Sequence, residues 1–170
     1  RSVVIFNLKS LIMIGHKAGP YLSGEMDLFR ELFGRLRPGD VAVGDRHFSG
    51  ANYYAEYLNA GVGFITREHQ ALKVEKLKAV QILADRDLIV EMPIHSSHRR
   101  KNPALPKSIH VRVIQMTAKI RGKKETFWLV TSLLDPQRYP AQEICGWARK
   151  RWKMRLSINL PCRYVKGINI

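Results

Sequence analysis

Short apolar runs alternate with helix-length segments through residues 1–66, and that rhythm confines the chain to an α/β architecture. Residues 3–6 and 11–14 are rich in Val and Ile and read as short buried strands. Gly19, Pro20, Ser23 and Gly24 mark a loop. Leu28, Leu32 and Leu36, with Phe29 and Phe33 beside them, predict a helix over 25–36. Ser23 or Gly24 can cap it, Glu25 and Asp27 suit the positive end of its dipole, and Arg37-Pro38-Gly39 stops it. Residues 41–44 form a short apolar strand that ends at Asp45. A second helix is expected over 51–60, with Tyr53, Tyr57 and Leu58 on one side and Gly61 past its end. Residues 62–66 are another strand, and a strand–helix–strand unit with links this short implies parallel pairing.

Beyond residue 69 the rhythm changes. Longer strands of antiparallel type are expected over 80–92, 109–120 and 126–134. The alternation His110-Val111-Arg112-Val113 gives one of them a solvated face. Residues 95–107 hold Arg99, Arg100, Lys101, Pro103, Pro106 and Lys107, which describes a basic, proline-stiffened hairpin tip. Pro136 and Pro140 close this block, and Pro140 fits the first turn of a last helix over 141–156. From 156 to 170 there is neither strand alternation nor a helical stripe, and Pro161 would interrupt a helix carried that far. The expected organisation is an α/β core over 1–68, a β-rich insertion over 69–135, a basic helix over 136–156 and an irregular tail over 157–170.

Charge narrows the partner. A chain of 170 residues has the size of one domain, but its 29 Lys and Arg against 14 Asp and Glu leave a net charge of +15. Such an excess favours a polyanion, and nucleic acid is the commonest. A membrane surface is the weaker fit, because no basic amphipathic helix presents a broad apolar face. No apolar run approaches the roughly 18 residues of a membrane span. Two cysteines are too few for a disulfide scaffold, which points to the reducing cytoplasm. The chain begins at Arg1 and enters a β-branched run with no signal-peptide pattern, as a fragment would.

Asp45 is the leading candidate for chemistry. Ligands in α/β sheets bind at the carboxyl ends of strands, and a carboxylate there suits Mg²⁺. Two such ions about 3.5–4 Å apart can clamp the attacking and leaving oxygens of a phosphodiester. The competing role for Asp45 is to cap its own turn, through Arg46 or a backbone N–H. The densest cationic cluster is Arg149, Lys150, Arg151 and Lys153, and no acidic residue follows Glu143 to offset it. Its guanidinium forks suit phosphates; Trp147 and Trp152 either stack on bases or fill the core. His95 and His98 with Cys145 and Cys162 lack the paired spacing of a zinc site. His47 either approaches a phosphate or faces water. Gly61-Val62-Gly63 lacks the downstream glycine of a dinucleotide loop.

Three runs together resemble a known family. They are residues 36–49 (Leu-Arg-Pro-Gly-Asp-Val-Ala-Val-Gly-Asp-Arg-His-Phe-Ser), residues 63–67 (Gly-Phe-Ile-Thr-Arg) and residues 129–140, which end in Asp-Pro-Gln-Arg-Tyr-Pro. With Arg151-Trp152 they resemble bacterial DDE transposases of the group named for insertion sequence number four, which carry a Tyr-Arg-Glu-Lys signature helix. The resemblance implies a ribonuclease H-like core with a mostly β insertion between the second catalytic Asp and the last helix. It implies Mg²⁺ or Mn²⁺ held by Asp, Asp and Glu, DNA as partner, two copies acting on DNA, and strand cleavage and transfer. It places the second Asp at Asp45 and the signature Arg at Arg151. DNA contacts are then expected from Arg46, Arg149, Lys150, Arg151 and Lys153, and from Arg99, Arg100 and Lys101 at the hairpin tip. The chain departs from the pattern at three places. No Asp precedes Asp27, Ala148 stands at the signature Tyr, and Arg155 stands at the signature Glu, where a cation would repel a metal ion. Cys162 stands where the signature Lys would fall. Glu143 lies twelve residues before Arg155, ~18 Å along a helix, too far to substitute. The pattern predicts a catalytically incomplete remnant with Arg155 beside Asp45, or else a basic DNA-binding protein without catalysis.

Overall fold

The computed structural model describes residues 1–69, 71–120, 122–157 and 163–168, and for 120, 152–157 and 163–168 the backbone alone. Nine strands of the described residues form one mixed sheet in the order β2-β1-β9-β3-β4-β8-β7-β6-β5. The strands are β1 (Ser2–Asn7), β2 (Met13–Ala18), β3 (Val41–Gly44), β4 (Gly63–Arg67), β5 (Lys78–Ala84), β6 (Asp87–Pro93), β7 (Ser108–Ile120), β8 (Lys123–Thr131) and β9 (Arg163–Ile168). The helices are α1 (Glu25–Arg30), α2 (Ala51–Asn59), α3 (Ser96–Lys101) and α4 (Ala141–Ser157).

Strand alternation divides the core between the two faces. Ala42 points to one side with Val3, Ile5 and Phe64, where Leu28 and Phe29 of α1 and Tyr54 and Tyr57 of α2 cover it. Val41 and Val43 point to the other, with Ile65, Ile114 and Leu129 beneath Ile144, Cys145 and Ala148 of α4. The α2 face is aromatic: the Tyr54 and Phe64 rings stack with centroids 4.2 Å apart. Tyr54 donates or accepts at Thr66 Oγ1 over 2.6 Å. Burial pushes the Tyr54 phenol well above its ordinary pKa. β3 and β4 pair in parallel across α2, as their short links imply.

Several elements differ from the sequence reading, each for a local reason. The strand expected over 11–14 starts at Met13. Asn7 Oδ1 accepts the N–H groups of Lys9 and Ser10, both at 2.9 Å, and the turn it builds holds Leu11 at φ 62°. The helix expected over 25–36 ends at Arg30, and Phe33–Arg35 form a 3-10 turn. Leu28, Leu32 and Leu36 are all buried, so their spacing recorded burial rather than an unbroken helix. The strand expected over 80–92 is a hairpin turning at Asp85-Arg86, with Arg86 at φ 61° and its guanidinium 2.6 Å from Gln115 Oε1. The basic tip carries the short helix α3, whose start is capped by the His95 ring accepting from Ser97 N–H. On α2, Leu58 is exposed and Tyr54 takes the buried position.

Two differences matter more. Arg112, read on a solvated strand face, is buried. The tail read as irregular supplies β9, which runs parallel to β1 and antiparallel to β3. β9 therefore separates β3 from β1, the first strand of the sheet.

Candidate functional site at the carboxyl edge of β3 and β4

β3 delivers Asp45 to the sheet edge and a tight turn follows. Gly44 permits that turn: a Cβ there would lie 3.2 Å from both Phe48 Cβ and Thr66 Cγ2. Asp45 caps the 3-10 turn Arg46–Phe48, its Oδ1 accepting the Arg46 N–H at 2.7 Å. Its other oxygen, Oδ2, lies 3.2 Å from Nη2 of Arg151. The Arg151 side chain is 4% exposed and that of Asp45 21%. Both roles considered for Asp45, the turn cap and the partner of a charged ligand, are thus occupied by the protein itself.

Neighbouring residues add positive charge. Gly44 pairs with Thr66 in the β3–β4 register, which sets Arg67 beside Asp45 at the same edge. The Arg67 guanidinium sits 4.3 Å from the Phe127 ring centroid, and its Nη2 is 3.0 Å from Glu125 Oε2. Glu68 follows, half-buried, and burial raises its carboxyl pKa. Arg46 is half-buried and His47 exposed.

The remaining candidates separate. Arg149 and Lys150 are exposed on α4, while Arg151 turns inward to Asp45. The side chains of Lys153, Trp152 and Arg155 lie outside the described residues, so the contact expected of Arg155 is not described, and Arg151 is the guanidinium found at Asp45. Trp147 packs partly buried against the α4 face of the core. At the distal tip Arg100 and Lys101 are exposed, whereas Arg99 Nε donates to the Ile94 carbonyl at 3.2 Å. His95 and His98 lie at that tip, Cys145 is buried on the inner face of α4, and Cys162 lies outside the described residues.

The transposase DDE domain family matches residues 1–154. The chain belongs to that family. No curated protein matches the chain. No solved structure matches it. Membership connects this transposase domain with transposition and makes DNA the partner the family implies. No helix among the described residues is long and apolar enough to cross a membrane.

The family generally uses divalent metal ions. The residues of this edge do not fit one. Among the described residues no three His, Cys, Asp or Glu side chains converge as a metal site, and Asp45 gives one oxygen to a backbone N–H and the other to a guanidinium.

Sequence reasoning missed Arg67 and Glu68 as edge residues and the burial of Arg112. For Arg67 and Glu68 the signal was present: they follow β4 as Asp45 follows β3, and parallel neighbours end at the same edge. Arg112 carried no such signal.

Proposed function

We propose that this chain is a ribonuclease H-like transposase domain of the group of insertion sequence number four, one that binds DNA without assembling a metal-dependent cleavage centre of its own. The Asp45–Arg151 ion pair carries the reading. Strand cleavage by two ions needs several free carboxylate oxygens. Here the one family Asp is engaged by a cation, and the signature Glu position is Arg155. Mg²⁺ or Mn²⁺ therefore belongs to the family's chemistry and gains no foothold at this Asp45. The alternative, full strand cleavage and transfer, rests on family membership alone.

DNA binding follows from charge. Exposed Arg149 and Lys150 on α4, with Arg100 and Lys101 on α3, supply point charges and forks for phosphates, and Arg46 adds a half-buried one. Transposon ends and target DNA are the ligands this implies, two copies of the chain acting on one DNA is the assembly, and a bacterial nucleoid the setting. Non-specific phosphate contact releases counterions, so log K should fall with log salt at about −0.9 per contact. With six to ten contacts, affinity for a duplex should drop ~10³–10⁵-fold between 50 and 200 mM salt. Fluorescence anisotropy with a labelled duplex measures this, and a flat salt response would show that the net charge does not act on DNA.

A further inference from the structure

We propose that Arg112 is a positioning residue: buried with Asp87, it fixes the start of α4 and thereby seats Arg151 on Asp45. The Arg112 fork is used in three directions. Nε and Nη2 donate to the two Asp87 oxygens at 2.7 and 2.6 Å. Nη1 donates to the Tyr139 carbonyl at 2.7 Å and reaches the Leu133 carbonyl at 3.4 Å. One guanidinium thus ties β7 to β6 and to both ends of the loop that feeds α4. Side-chain exposure is 1% for Arg112 and 8% for Asp87.

A buried ion pair is weak evidence for stability, since apolar residues of similar volume often serve as well. Its distinctive capacity is direction, because a planar fork accepts partners only at set angles. The Tyr139 carbonyl also needs that donor. It lies just before α4, where Pro140 supplies the first intrahelical acceptor, its carbonyl taking the N–H groups of Glu143 and Ile144. Cys145 of α4 is buried in one apolar cluster with Ile114, two residues from Arg112 on β7, so the helix covers the face of β7 that carries Arg112.

From Ala141 to Arg151 is ten residues, a rigid rod about 15 Å long. A rotation by one residue turns a helical side chain through ~100°. Fixing the start of α4 therefore decides whether position 151 faces Asp45. Ile144, Cys145 and Ala148 bury the same face but are apolar, and apolar packing is less directional than a fork.

The test uses the full chain labelled with ¹⁵N-arginine, reading the guanidinium signals of Arg112 and Arg151, assigned through Arg112→Lys and Arg151→Gln. Arg112→Lys keeps a charge for Asp87 but cannot span it and the Tyr139 carbonyl together. Arg112→Met with Asp87→Leu removes both charges at similar volume. In each variant that retains a dispersed amide spectrum, the hydrogen-exchange protection of the Arg151 guanidinium should fall at least tenfold. Unchanged protection in either folded variant overturns the proposal and leaves Arg112 a stability element alone. A third measurement needs no variant that must fold: in wild-type protein below the urea transition, the two guanidinium protections should fall together. Loss at Arg112 with retention at Arg151 would equally overturn it. The proposal concerns the same edge as the DNA-binding reading, yet its readout needs no DNA. Failure of duplex binding sinks that reading and leaves the guanidinium result to judge this one.

Discussion

Two of the Arg–Asp pairs among the described residues, Arg112–Asp87 and Arg151–Asp45, differ in exposure and in their place in the sheet. Arg112–Asp87 is bidentate, closed to solvent on both sides, and completed by backbone carbonyls. Arg151–Asp45 approaches to 3.2 Å and leaves its carboxylate 21% exposed at the sheet edge. The first sits between β6 and β7 beneath the entry to α4, and the second lies where two parallel strands end. A pair with its hydrogen-bonding capacity used can specify geometry. A pair at an open strand end is placed where ligands bind in α/β sheets, and here the protein's own cation has taken that place.

Breaking the closed pair should cost most. Arg112→Ala strands a buried carboxylate, at about 3–5 kcal/mol. In a chain of this length that lowers the melting temperature by ~6–20 °C. Circular dichroism melts check it, and Arg112→Met with Asp87→Leu should return within a few degrees of wild type. A small loss for the single variant would erase the contrast between the pairs.

Arg151→Gln should cost less, because Asp45 keeps the Arg46 N–H and access to water. A loss of about 1–2 kcal/mol, between an exposed and a fully buried pair, corresponds to ~2–8 °C. A loss as large as that of Arg112→Ala would mean that the Asp45 edge is as structural as the Arg112 clamp.

The two pairs were unequally legible in the sequence. Asp45 ends a four-residue apolar strand followed by a turn and a helix, a local pattern with a positional consequence. The strand–helix–strand unit around it was legible for the same reason, since periodicity and links are local. Arg112 sits in an alternating run whose polar face is solvated at His110 and covered two residues on. What covers it is the loop after β8, about twenty residues later in the chain, and alternation carries no information on such long-range cover. The contact of Arg151 with Asp45 was hidden similarly, because the helical phase of α4 is set by its start. β9 was not legible at all: its residues, Arg163-Tyr164-Val165-Lys166-Gly167-Ile168, owe their pairing to the strands on either side.

The smallest effect sharpens the edge itself. Burial raises the Glu68 carboxyl pKa above its unfolded value. The folded state then binds the proton more tightly, so stability is highest below the unfolded pKa and declines as pH rises through the folded one. Glu68→Gln abolishes that decline. Its melting temperature should exceed wild type at pH 7, and the difference should vanish below about pH 4. A constant offset at every pH would show that the carboxyl's ionisation is not what the edge resists.

Asp45-dependent DNA cleavage is the most direct test of the central claim. Supercoiled plasmid is incubated with wild-type chain and Mn²⁺ beside Asp45→Ala, at a salt concentration where both bind DNA. With Asp45 held by Arg151, the two should give the same background of nicked circles. Mn²⁺-dependent nicking by wild type that Asp45→Ala abolishes would contradict the claim, because it would require the carboxylate to leave its arginine for a metal ion.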